Sequence, residues 1–145
     1  MATKTNECKN AVGRLDETLV KNLVFMHAFG GCDTTSAMHD KGKAAILRLL
    51  QKSKEAQQLS SVFNTLHQSQ DQIGRAGISL FVLLYGRKDE DTLHHLRYTC
   101  YMKMAASSKT APAKLPPTER AAWFHSLRVY LQVNTSRVIT SIVFI

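Results

Sequence analysis

An all-α protein of five or six helices is what this chain of 145 residues predicts. Apolar residues recur at three- and four-residue spacing through most of its length, the signature of helices with one buried face. Helix stops and starts punctuate that pattern: a Gly30-Gly31 pair, Gly86, and a Leu115-Pro116-Pro117-Thr118 block. Strand-like alternation is confined to the end of the chain.

Residues 1–15 are polar and aperiodic and read as a flexible arm. Asp16 is placed to cap a first helix carrying Leu19, Val20, Leu23, Val24 and His27, which the glycine pair ends. A second helix is expected over Lys43 to Ser53, with Ile46, Leu47, Leu49 and Leu50 inward and Lys43, Arg48 and Lys52 outward. A third, about Ala56 to His67, aligns Leu59, Val62, Phe63 and Leu66. A mostly buried fourth spans about Asp71 to Tyr85 and ends at Gly86. Asp91-Thr92 is positioned to cap a fifth, with Leu93, Leu96, Tyr98, Cys100, Tyr101 and Met104. Ala105 to Lys114 reads as a linker, and the prolines hold their predecessors extended. Thr118 then caps a sixth helix containing Ala122, Trp123, Ser126, Leu127, Tyr130 and Leu131. The helical domain is thus drawn at residues 16–132. Residues 133–145 alternate polar and β-branched side chains and read as an irregular apolar tail resembling a lone strand, an exposed edge able to pair between chains.

Hydrophobic content of 44% and charged content of 21% fit an ordinary globular domain. The net charge of +8 is the unusual quantity, and it is spread: nine Lys/Arg against six Asp/Glu through residue 60, ten against five after it. A dispersed basic excess suits a broad surface that meets phosphates. Three distant cysteines, Cys8, Cys32 and Cys100, argue against a disulfide framework and for a reducing, intracellular setting. Neither a signal peptide nor a membrane-length apolar run is expected.

The candidate chemistry concentrates in His27 to Lys43. Asp33 stands between a helix end and a polar turn, where a carboxylate can serve as a metal ligand or hydrogen-bond the backbone of Thr34, Thr35 and Ser36. Lys41-Gly42-Lys43 places a glycine at a helix start, where main-chain N–H groups and the helix dipole favour a phosphate. Lys52 and Lys54 extend that face. Such contacts position a nucleic-acid backbone without reading its sequence. His27, Cys32 and His39, and separately His94, His95 and Cys100, lack the paired spacing of a structural zinc site. No base is identifiable for a Cys32 nucleophile, and no residue is assigned a catalytic role. The aromatics Tyr98, Tyr101, Trp123, Phe124 and Tyr130, at helical spacing, are expected in the core rather than as stacking platforms.

The stretch Phe29-Gly30-Gly31-Cys32-Asp33, followed by Lys41-Gly42-Lys43 and an apolar helix, resembles the point where flap-endonuclease/XPG-like nucleases pass from their PIN-like catalytic domain into the helix–turn–helix that grips duplex DNA. The resemblance implies that Asp33 matches a Mg²⁺-coordinating carboxylate of a Gly-x-Asp motif, and that Gly42, Lys43 and the following helix match the phosphate-gripping turn. A second likeness, spanning about residues 20–132, is to mobile-element-associated animal proteins with a His-Ala-Phe-x-Gly-Cys-Asp-Thr-Thr-Ser-Ala block (here His27 to Ala37) and a Leu-Pro-Pro-Thr block (here Leu115 to Thr118). Thr34 replaces the nuclease family's aromatic, and Asp40 occupies the place of one of its paired turn glycines. The other metal-binding carboxylates should precede Leu19, so the resemblance implies a fragment lacking most of the catalytic domain. It implies a DNA-binding module without cleavage of its own, in an intracellular setting that admits the nucleus. The alternative is a helical protein-interaction or assembly domain, with the C-terminal tail and the Leu115 to Thr118 block as the surfaces that meet a partner protein or a second copy.

Overall fold

A computed structural model describes residues 17–33, 35–86, 92–109 and 111–143. They form six α-helices: α1 Glu17–Phe29, α2 Lys43–Lys52, α3 Lys54–Asn64, α4 Gln70–Leu84, α5 Leu93–Ala106 and α6 Glu119–Val143, with a 3₁₀ turn at Pro112–Lys114. The all-α expectation holds. The expected arm, the Asp16 and Asp91 caps and Thr34 lie outside the described residues.

Local chemistry sets the boundaries. Ser53 Oγ accepts from the Ala56 N–H at 3.1 Å, Thr92 Oγ1 from His95 at 3.2 Å, and Thr118 Oγ1 from Ala121 at 3.2 Å. Ser69 and Gln72 exchange bonds in a capping box. At the end of α4, Gly86 takes a left-handed φ of 85° and donates to the Leu83 carbonyl, the backbone state glycine adopts without a Cβ penalty.

The core is built on four phenylalanines. Phe25 and Phe29 of α1 meet Phe63 of α3 and Phe81 of α4, with ring centroids 4.9–6.2 Å apart. Leu80 and Ile73 of α4, Ile46 and Leu50 of α2, and Val129 and Val133 of α6 complete it. Helices α4 and α6 pack most intimately because α4 presents Gly74 and Gly77 at the crossing. A Cβ on Gly77 would lie 1.7 Å from Ser126 Oγ, and one on Gly74 would lie 2.3 Å from the Trp123 ring.

Two expectations are corrected. Residues 133–143 are not a strand-like tail; they continue α6, which runs 25 residues. A lone strand leaves its backbone groups unpaired, whereas a helix pairs them within itself. Buried Val129 and Val133 anchor the preceding turns, and Thr140 and Ser141 hydroxyls donate back to the Ser136 and Arg137 carbonyls. The aromatic residues expected inside are also redistributed: Tyr98, Tyr101 and Phe124 are exposed, while Trp123 and Tyr130 are only half-buried.

Candidate nucleic-acid interface

Helix α1 ends in a tight turn. Gly30 N–H donates to the Met26 carbonyl at 3.0 Å, and Gly31 turns the chain with a left-handed φ of 100°. A Cβ there would come within 2.6 Å of Ala37, so only glycine fits this close approach. Thr35 then closes the turn. Its buried hydroxyl donates to the Ala28 carbonyl at 2.6 Å and accepts the Cys32 N–H at 3.0 Å, while Cys32 and Thr35 exchange main-chain bonds at 3.2 and 3.1 Å. Asp33 sits at the exposed tip of this tied turn. Among the described residues, no group of three His, Cys, Asp or Glu side chains converges as a metal-binding set, around Asp33 or elsewhere.

The approach to α2 keeps three predicted residues together. Asp40 has a left-handed φ of 57°, a backbone state that aspartate visits more readily than most side chains. Its carboxylate lies 3.0 Å from His39 Nδ1 and 3.8 Å from Lys114 Nζ. Lys41 is half-buried, its ammonium 5.3 Å from the centre of the Tyr85 ring, a cation–π distance. Burial pushes the Tyr85 hydroxyl above its usual pKa, with Cys100 adding to the rise and Arg97 opposing it.

Gly42 is the N-cap of α2, exposed and extended, with φ −79° and ψ −167° and no side-chain cap. Helices α3, α4, α5 and α6 all begin under a Ser or Thr hydroxyl. The first N–H groups of α2 therefore face outward beside exposed Lys43. Lys52 does not join them. It occupies the last turn of α2, roughly 13 Å away along the axis by helical rise, beside Lys54 at the next helix start.

A second concave surface was not legible in the sequence. A groove of about 610 Å³ runs between α5 and the strap of residues 111–119, with Tyr98, Tyr101 and Met104 on one side and Pro112 and Leu115 on the other. Arg97 pins the strap by donating from Nη1 to the Pro116 carbonyl. The available signal was the weakness of the apolar stripe on α5, which buries only Leu93 and Leu96 at its start.

No family model matches the sequence, no characterised protein is significantly similar to it, and no solved structure matches it. No helix among the described residues is long and apolar enough to cross a membrane.

Proposed function

We propose that this chain is a DNA-binding helical module that holds the phosphate backbone at the N-terminus of α2. The observation that carries this reading is the uncapped, exposed Gly42 end of α2, flanked by Lys41 and Lys43 in a chain of net charge +8. Uncapped N–H groups and the positive end of the helix dipole favour an anion, with positive charge from exposed Lys43 and from Lys41 held against the Tyr85 ring. Lys52 and Lys54 meet a separate phosphate farther along the duplex. Asp33 is a single exposed carboxylate, so as a Mg²⁺ ligand it needs further carboxylates from outside the described residues, and the module alone does not cleave DNA. This reading accommodates derivation from a flap-endonuclease/XPG-like protein of a mobile element, and a nuclear location.

The test is duplex binding followed by fluorescence anisotropy, comparing the wild type with Lys41→Ala/Lys43→Ala. Weakening of about fivefold or more in the variant, at unchanged helix content, is expected if each lysine contributes a phosphate contact. Equal binding by both proteins would remove α2 from the interface.

A second reading, a protein-interaction domain, has its own observation. Val20, Leu23 and Val24 on α1 and Val138, Ile139, Ile142 and Val143 on α6 are exposed, and a groove of about 520 Å³ is lined by Leu23, Val24, Met26 and His27 of α1, Lys43 of α2 and Ser136 of α6. A partner protein or a second copy seated there would produce association that persists in high salt, because apolar contact releases no counterions.

A further inference from the structure

Helix α6 carries two apolar faces where one core asks for one. Ala122, Val129 and Val133 are buried against the other helices. A second row, Phe124, Leu131, Val138 and Ile142, is 47%, 65%, 55% and 66% exposed. Leu131 stands two residues from both Val129 and Val133, about 200° around the axis, so this row points away from the core. A surface helix ordinarily shows polar side chains there. The members of the row are spaced seven, seven and four residues, the recurrence of a seam that packs against another helix. Arg128 and Thr135, both exposed, are the polar side chains between them.

The row identifies its partner by its own symmetry. Phe124 and Val138 are each seven residues from Leu131. A second copy of α6 laid antiparallel across this face, with the two-fold axis at Leu131, sets Leu131 against itself. It also sets each Phe124 against the Val138 of the other copy, large against small, as interdigitating side chains require. Charge favours the same direction. A parallel pair in register would bring Arg128 onto Arg128, whereas the antiparallel pair staggers the two by about 9 Å along the axis. Arg120 is carried farther from its copy, and Arg137 is turned aside, donating to the Asn64 carbonyl. The strip from Phe124 to Ile142 is about 27 Å long and about 11 Å wide, on the order of 300 Å² on each copy. A standard interface covers ~800 Å² per partner, so this area belongs to a weak, reversible pair.

We propose that the outer face of α6 is a homodimer interface, in which two copies of this chain pair antiparallel through Phe124, Leu131, Val138 and Ile142 about an axis at Leu131. The proposal rests on the protein-interaction reading, which it narrows to one partner and one face, and it uses none of the residues assigned to phosphate at α2. Each copy carries a net charge of +8, so the two repel at long range and added salt tightens the pair. Phosphate binding responds to salt in the opposite sense.

The experiment is sedimentation equilibrium of the full chain from about 10 to 500 μM, a span that brackets a weak pair, with helix content checked by circular dichroism. The wild type passes reversibly from monomer to dimer, more readily at high salt than at low. Leu131→Glu sets two carboxylates at the axis and weakens the dimer about tenfold or more at unchanged helix content. Direction is read by oxidation and non-reducing electrophoresis. Leu131→Cys forms a disulfide-linked dimer above the wild-type background, whereas Phe124→Cys does not, because the axis holds the two positions about 21 Å apart along the helices. A wild type that stays monomeric, an undiminished dimer of Leu131→Glu, or equal crosslinking at positions 124 and 131 overturns the proposal. A dimer abolished by Val24→Glu but not by Leu131→Glu also overturns it, moving the contact to the α1 groove and keeping only the broader interaction reading.

Discussion

His125 is 5% exposed and sits among aromatic rings, 5.3 Å from Phe29 and 5.4 Å from Phe81 between ring centroids. Its Nε2 lies 3.1 Å from the Phe29 carbonyl. That acceptor assigns the proton of the neutral ring to Nε2, which donates across the end of α1. Burial holds the pKa below the usual histidine value; the Phe29 carbonyl opposes that fall, and Arg128 adds to it. The unfolded chain therefore takes up a proton here at a higher pH than the folded one does. The resulting stability is fully present above the unfolded value of 6.5 and is lost as pH falls through that value toward the folded one. Thermal unfolding followed from about pH 7.5 down to about pH 5, across the ordinary histidine pKa, should show Tm falling for the wild type. The fall should be shallower for His125→Gln. Parallel curves would mean that this ring is not what titrates.

At the scale of the elements, α4 and α6 hold the molecule together through glycine. Alanine at position 77 gains about 1 kcal/mol of intrinsic helix propensity. It also drives a methyl into Ser126, where Cβ lies 2.5 Å and Oγ 1.7 Å from the new atom. Overpacking of this kind costs about 1–3 kcal/mol or more, so Gly77→Ala should lower the midpoint of urea unfolding; an unchanged or raised midpoint would contradict the close crossing. Gly42 is the opposite case, since a Cβ there meets nothing within 4 Å and its φ suits any residue. Gly42→Asp supplies the missing cap and a charge favourable to the helix dipole, stabilising by about 0.5–1 kcal/mol. The same carboxylate occupies the anion position, so duplex affinity should fall while Tm rises. A joint fall would instead make Gly42 a purely structural residue.

The elements themselves were largely legible, and particular residues say why. Thr92 and Thr118 are start signals that act within one turn, and Gly86 is a stop signal of equal range, so sequence spacing carries them; the Ser69 cap was not legible, and the pattern places that helix from about Asp71. The last turns of α6 were not legible. Val138, Ile139, Thr140, Ile142 and Val143 have the local preferences of a strand, and what extends the helix is the anchoring of Val129 and Val133 in a core whose other half is distant in sequence. The candidate site divides in the same way. Lys41, Gly42 and Lys43 are neighbours in the chain and stay together, whereas Lys52 shares their helix but not their end. Tyr98 and Tyr101 looked like core residues because helical spacing does not reveal whether a helix has a neighbour on that side. Here that side faces a strap farther along the chain, residues 111–119, held off by a groove.

Among the described residues, six helices share one hydrophobic core built on phenylalanines, and most of the basic side chains lie outside it. Exposed Lys43, Arg48, Lys52 and Lys54 lie along α2 and the start of α3, and Arg120, Arg128 and Arg137 are exposed on α6. The apolar reading of the α1 and α6 faces and the phosphate reading of α2 differ in how they respond to salt. The measurement that bears most directly on the central claim is therefore the affinity of the wild-type protein for duplex DNA across a series of salt concentrations. Contact with about two to three phosphates at α2 predicts a linear plot of log K against log salt with a slope of about −2 to −3. No binding at the lowest salt, or an affinity indifferent to salt, would contradict it.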